Sequence, residues 1–288
     1  MSATLRERLE RGGLRLDGGT GTALMARGVA PEAIASANLE APELVAAVHG
    51  EFAEAGAELL LTNTFAAHPL ALQQGGAESA AVVEAGVRIA REVAEAKGVT
   101  WVVGDLGPMG AYVPPSASRA PEGLDGLYVA GARVLADSGV DGLLLETFSA
   151  AEEARRALAA VREAVELPVF VSLTFERRAS GVVAADGASL AEGLALLAEE
   201  GADAVGLNCG TGSADLLEVL PEVLSAVDVP VLVKPNAGVP RETAEGLVFP
   251  EGPADFAAAL RRAVELGAAA VGGCCGATAA HLRTGPPA

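Results

Sequence analysis

Three cysteines stand in this chain, and two of them are neighbours: Cys274 and Cys275 lie in the run AVGGCCGAT, with Cys209 upstream in GLNCG. An ionised cysteine sulfur is a nucleophile and a soft metal ligand. Three thiolates gathered at one point suit zinc, which takes sulfur and nitrogen donors in tetrahedral geometry and keeps a fourth position exchangeable where the site is catalytic. Neighbouring residues of a strand face opposite ways, so Cys274 and Cys275 reach one metal only if the backbone leaves strand geometry there, which the flanking glycines permit. Three buried apolar thiols, or a strained vicinal disulfide, are the other arrangements open to the same residues. Three cysteines in 288 residues do not make a disulfide framework.

The elements that must position these residues are legible as a rhythm. Short apolar runs ending in polar residues recur eight times: LRLDGG, ELLLTNTF, WVVGDLGP, GLLLETF, PVFVSLTF, AVGLNCG, PVLVKPNAG and AVGGCCG. Between them lie alanine-, glutamate- and arginine-rich segments with helical spacing, such as AEEARRALAAVREAV. Continuous apolar runs suit strands buried on both faces of a parallel sheet. Eight units without a dividing linker predict an α/β fold, a single (β/α)8 TIM barrel spanning residues 1–288. An open doubly wound sheet is the alternative; the similarity of the eight units, their number and the lack of a GxGxxG after the first strand weigh against it.

In such a barrel the site forms at the carboxyl ends of the strands. The residues expected there are Asp17, Asn63 and Thr64, Asp105, Glu146, Thr174, Asn208 and Cys209, Lys234 and Asn236, and Cys274 and Cys275. All three cysteines then fall at the mouth. Glu146 is either a ligand for a cation in the cavity or the partner of a barrel lysine or arginine. Lys234 is either a Schiff-base amine or paired with a carboxylate. The glycine-rich DGGTGT turn, Asp17 to Thr22, offers backbone N–H groups to a carboxylate or phosphate. His49, His68 and His281 sit away from the strand ends and receive no catalytic role. Two long loops, Gly107–Gly126 and Phe175–Ser189, are candidate lids.

The motifs LDGGTGT, LLLTNTF, GDLGP, LLLETFS, GLNCG, KPNAG and GGCCG, in this order from about Leu14 to Leu282, resemble the zinc-dependent homocysteine S-methyltransferase family. Within it the likeness is to the homocysteine-binding domains of cobalamin-dependent methionine synthases. The resemblance implies zinc held by Cys209, Cys274 and Cys275, with Asn236 in the fourth position until substrate displaces it. It also implies that Glu146 takes the substrate ammonium, while Asp17 and the backbone of Gly18, Gly19, Thr20 and Thr22 hold the amino-acid end, with Asn63 beside them. The expected reaction is methyl transfer to homocysteine, giving methionine. The chain ends at HLRTGPPA with nothing to bind folate or cobalamin, so the expected donor is methylcobalamin on a separate corrinoid protein or on domains of a longer enzyme.

Composition narrows the partners. A net charge of −18 repels nucleic acid and anionic lipid, no run is apolar over membrane-spanning length, and a cytoplasmic location is expected. Betaine and S-methylmethionine are the alternative donors, but their cationic centres call for aromatic faces. Only Phe65, Phe148 and Phe175 follow strand ends, with Tyr112 in the first candidate lid. Two further alternatives are a Schiff-base lyase using Lys234 and a zinc-binding barrel without catalysis.

Overall fold

The computed structural model describes residues 3–73, 75–109, 123–179, 181–243 and 246–283. Its frame is eight parallel strands: β1 (Leu14–Arg15), β2 (Leu59–Leu61), β3 (Trp101–Leu106), β4 (Gly142–Phe148), β5 (Val169–Leu173), β6 (Ala204–Gly212), β7 (Val231–Asn236) and β8 (Ala270–Val271). They pair in the order β1-β8-β7-β6-β5-β4-β3-β2, so the sheet curls until its two ends meet. Glu58 N–H donates to the Arg15 carbonyl at 2.8 Å across the seam between β1 and β2. Leu61 N–H donates to the Asp17 carboxylate, also at 2.8 Å, so a side chain completes the closure. The predicted (β/α)8 barrel is the fold observed.

Helices return the chain between strands and cover the barrel. In Ala151–Ala164 the buried residues include Ala154, Ala157, Leu158 and Val161, one stripe at 3.6-residue spacing, with Glu152 and Glu153 in the first turn and Arg162 in the last. Inside the barrel, strand alternation builds layers. Leu14, Leu16, Leu59, Leu61, Val103, Leu144, Phe170, Ala204, Leu232 and Ala270 form a buried apolar plug. Two residues further along the strands the same face turns polar: Asn63 after Leu61, Asp105 after Val103, Glu146 after Leu144, Ser172 after Phe170, Lys234 after Leu232. The plug is the floor on which the polar layer stands. Helix Leu5–Glu10, started by a Thr4–Glu7 capping box, adds Leu5 and Leu9 to the plug.

The second candidate lid contains structure the sequence did not reveal, an antiparallel hairpin of Glu176–Arg178 with Gly181–Val183. A second hairpin, Arg241–Thr243 with Gly246–Val248, follows β7. Most of the first candidate lid, residues 110–122 including Tyr112, lies outside the described residues. Among the described residues no helix is long and apolar enough to cross a membrane.

One buried group should show in stability. His49, on helix Pro42–Glu54, is fully buried and neither ring nitrogen has a hydrogen-bond partner. Burial pushes its pKa down to about 4. An unfolded imidazole takes its proton near pH 6.5, so below that pH the unfolded state binds more protons and the fold loses stability as pH falls. The loss attributable to His49 should reach about 3 kcal/mol by pH 4. Urea denaturation of the wild type and His49→Leu across pH 4–8 should show the difference between them widening below pH 6.5. A difference independent of pH would mean that the imidazole is not buried uncharged.

Candidate metal centre and binding cavity

The strands that carry the cysteines both leave ladder geometry where the thiols appear. In β6 the register with β7 shifts between Asn208 and Gly212, and Cys209 sits there with φ of 56°. A non-glycine residue in the left-handed region is strained by about 1–3 kcal/mol and persists only where its surroundings dictate it. After β8, Gly272 N–H still bonds to Val233 and Cys274 N–H to Pro235. The chain then turns through Gly276, at φ of 78°, with Ala277 N–H donating back to the Cys274 carbonyl at 3.1 Å. This turn lets both vicinal thiols face Cys209: the three Sγ atoms lie within 4.8 Å of one another, Cys209 and Cys275 at 4.0 Å.

Tetrahedral metal–sulfur bonds of about 2.3 Å place sulfurs about 3.8 Å apart, so the cluster fits one soft cation after small side-chain adjustments. Its protonation fits too. Hydrogen bonds from Cys274 and Cys275 hold the Cys209 thiol far below the usual range, while the bond to Cys209 pushes Cys274 and Cys275 up. One thiolate in the trio therefore opposes ionisation of the others, and a cation would relieve that opposition. Asn236, at the end of β7, is 2% exposed and its Oδ1 is buried without a hydrogen-bond partner. Such an oxygen is costly unless it meets a donor or a cation.

Asn208 ties the cluster to its neighbours. Ser172 Oγ accepts from Thr147 N–H at 3.2 Å and donates to Asn208 Oδ1 at 2.8 Å. Asn208 Nδ2 donates to Thr147 Oγ1 at 2.5 Å and lies 3.8 Å from Cys274 Sγ. Thr147 itself has φ of 61°, at the register shift of β4. The same small network thus holds both left-handed strand exits. No local sequence signal could have found it, because its members are 25 to 66 residues apart.

The cysteines line an open cavity of about 450 Å³ at the barrel mouth, together with Gly18, Gly19, Thr20, Thr22, Asn63, Asp105, Glu146 and Lys234. Pro31, Ile34 and Ala35, from the segment before helix Pro42–Glu54, also line it; lying far from any strand end, they escaped the sequence reading. The DGGTGT turn is pressed against the metal-side loop: a Cβ on Gly19 would lie 2.4 Å from the Cys274 carbonyl, so only glycine fits. Thr22 Oγ1 accepts from Gly276 N–H at 3.0 Å, joining the two loops. Asn63 commits its Nδ2 to Ile34 O and Asn38 Oδ1 and so shapes the wall.

Charges crowd the floor. Lys234 Nζ is 2.5 Å from Glu146 Oε1 and 4.0 Å from Asp17 Oδ1, with all three side chains buried. Burial alone would lower the lysine, but Glu146 and Asp17 outweigh it and hold Lys234 above its ordinary range. A salt bridge should also lower the carboxyls. Burial instead pushes Asp17 up to about 7 and raises Glu146, and Asp105 is pushed up by burial and by Glu146, with Lys234 only a partial offset. One lysine is too little cation for three buried carboxyls. Asp17 is not among the cavity-lining residues; it closes the seam through Leu61 and lies 4.0 Å from Lys234. The histidines lie elsewhere: His49 in the helical shell, His68 accepting from Ala71 N–H, His281 bonded to Thr278 and the Glu251 carbonyl.

Comparisons with known proteins agree with this geometry. The family model of homocysteine S-methyltransferase matches residues 14–284. The methionine synthases of Mycobacterium leprae and Mycobacterium tuberculosis are each 32% identical over 84% of this chain. The chain spans 21% of the length of these relatives. Among solved structures, the homocysteine methyltransferase MmuM from Escherichia coli in its metallated form superposes with a TM-score of 0.77 at 27% identity, covering 94% of both chains. The carboxyl transferase domain of Rhizobium etli pyruvate carboxylase, at 14% identity and a TM-score of 0.53, shares the fold. The strand-end motifs, the three convergent thiols and the family match over nearly the whole chain lead to one conclusion: this protein belongs to the homocysteine S-methyltransferase family.

Proposed function

We propose that this chain transfers a methyl group to the thiol of homocysteine, giving methionine, with zinc held by Cys209, Cys274, Cys275 and, before substrate arrives, Asn236. The observation that carries the reading is the meeting of three thiols in the wall of an open cavity, and the unpartnered Asn236 oxygen at the end of β7 adds to it. Bound zinc would supply the positive charge that keeps a thiol sulfur deprotonated, and hence nucleophilic, near neutral pH.

The chain's own residues do the rest. Glu146 receives the substrate ammonium, and the Gly18–Thr22 turn offers amides of the first turn of helix Thr20–Met25 to the carboxylate. Asp17 supports them from beneath by holding Lys234. These contacts aim the sulfur at the mouth. There the new sulfur–carbon bond forms as the methyl–donor bond breaks, its electron pair leaving with the donor.

The proposed donor is methylcobalamin presented by a corrinoid protein or domain, with betaine or S-methylmethionine as the competing choices. Among the described residues Phe65 is the one aromatic side chain lining the cavity; Phe148 is buried against Tyr128 and Phe175 is buried as well. A cage for a small cationic donor is therefore lacking among these residues. Of the eight exposed large apolar residues among those described, Met25, Leu39, Phe65, Leu70, Val239, Leu247 and Val248 lie on segments that follow β1, β2 or β7, as a macromolecular donor would require, and Leu196 lies on helix Leu190–Glu199. The Schiff-base alternative needs a neutral amine, and Lys234 is held charged by its carboxylates. A cytoplasmic location accords with the reduced thiols the reading needs.

Three outcomes test the reading. Cys209→Ser, Cys274→Ser and Cys275→Ser should each lose most bound zinc by elemental analysis while unfolding at nearly the wild-type urea midpoint; wild-type zinc content in any of them removes that cysteine from the ligand set. Glu146→Gln should weaken homocysteine binding about 10-fold or more by calorimetry, the order of one charge-assisted hydrogen bond, with zinc affinity unchanged. Unchanged homocysteine affinity would reduce Glu146 to a partner of Lys234. Methionine formation with methylcobalamin should outpace that with betaine or S-methylmethionine, and a faster rate with either of those overturns the donor assignment.

A further inference from the structure

We infer that Asp105 is a second carboxylate for the substrate ammonium, so that Glu146 and Asp105 together make the chain selective for thiols that carry an α-amino group. The inference rests on the homocysteine reading above and adds a residue to it.

Asp105 lies near the end of β3, its Cα registered opposite Leu144 of β4. Strand alternation therefore turns Asp105 and Glu146 into the same interior layer, directly above Val103 and Leu144 of the apolar plug. Both line the cavity, and among the described residues Lys234 is the only cationic side chain in its lining. That lysine is already engaged: its Nζ sits on Glu146 Oε1 at 2.5 Å and faces Asp17 at 4.0 Å, and no ion pair joins it to Asp105. Asp105 is 6% exposed and its Oδ1 is buried with no hydrogen-bond partner.

The backbone of Asp105, by contrast, is fully secured. Its N–H donates to Thr62 Oγ1 at 3.1 Å and its carbonyl accepts from Thr64 Oγ1 at 2.6 Å. Two threonines thus hold in place a carboxyl that shares a hydrogen bond with the Glu146 carboxyl and leaves its own Oδ1 without a partner. A buried carboxyl without a cation is unfavourable, and one kept beside a second carboxyl is more so. An incoming ammonium carries three N–H donors and one positive charge, which is what the pair lacks. The zinc ligands would bind any thiol; the carboxylate pair adds discrimination, because a thiol without the amino group leaves the pair with no positive charge beyond the one Lys234 already gives to Glu146.

The test uses zinc-loaded full-length protein and two thiols that differ only in the amino group, homocysteine and 4-sulfanylbutanoate, with binding followed by calorimetry. Wild type should prefer homocysteine by 100-fold or more. Asp105→Asn, which keeps the shape and removes the charge, should cut that preference at least 10-fold by weakening homocysteine while leaving 4-sulfanylbutanoate binding within threefold. Zinc content and urea midpoint are measured on the same samples, and Asp105→Glu, which restores the charge, should recover part of the preference. Equal weakening of both thiols would make Asp105 a structural residue and overturn the inference, as would an unchanged preference in a folded, zinc-loaded Asp105→Asn. Failure of wild type to bind homocysteine would overturn the underlying reading itself and, with it, this inference.

Discussion

Three thiols can meet at one point in this barrel only because the chain leaves β geometry at both strand ends that carry them. Alternation along a strand sends neighbouring side chains to opposite faces, so a vicinal pair in regular β8 would offer one sulfur to the cavity and lose the other to the helical shell. The turn through Gly276 and the left-handed exit at Cys209 remove that restriction. The strain at Cys209 and Thr147 is held by Asn208 and Ser172, side chains from the same polar layer. The thiol cluster is thus a property of how strands end, while the barrel beneath it supplies rigidity.

A second constraint runs through the floor. The apolar plug excludes water from below, which strengthens every charge interaction above it. In that setting Asp17, Asp105 and Glu146 share a single lysine, and their carboxyls are pushed up accordingly. A floor short of cations, next to thiols that repel one another when ionised, has two unmet needs for positive charge. In the proposed function a metal ion would meet one and a substrate ammonium the other.

Much of this was legible in the sequence because each element announces itself locally. An apolar run with a polar end names both a strand and its contribution to the mouth, so Glu146, Lys234, Asn236 and the three cysteines could be placed before any coordinates. The competing reading of Glu146 was also correct in part: it pairs with Lys234 and lines the cavity as well. What stayed hidden depends on contacts between distant segments. Asp17 is expected at the cavity by the motif it opens, yet the seam between β1 and β2 draws its carboxylate to Leu61. Asn208 is marked only as a strand end, and its bonds to Thr147 and Ser172 need the barrel to be closed. The hairpins at 176–183 and 241–248 have strands of three residues each, too short to show the apolar alternation that betrays a strand.

The central claim is that this metal centre takes the substrate sulfur directly. X-ray absorption at the zinc edge of the loaded protein, before and after homocysteine is added, addresses it without reference to any methyl donor. The account predicts about three sulfurs and one lighter atom at first, and about four sulfurs afterwards. A shell that stays the same when homocysteine is shown by calorimetry to be bound would contradict it.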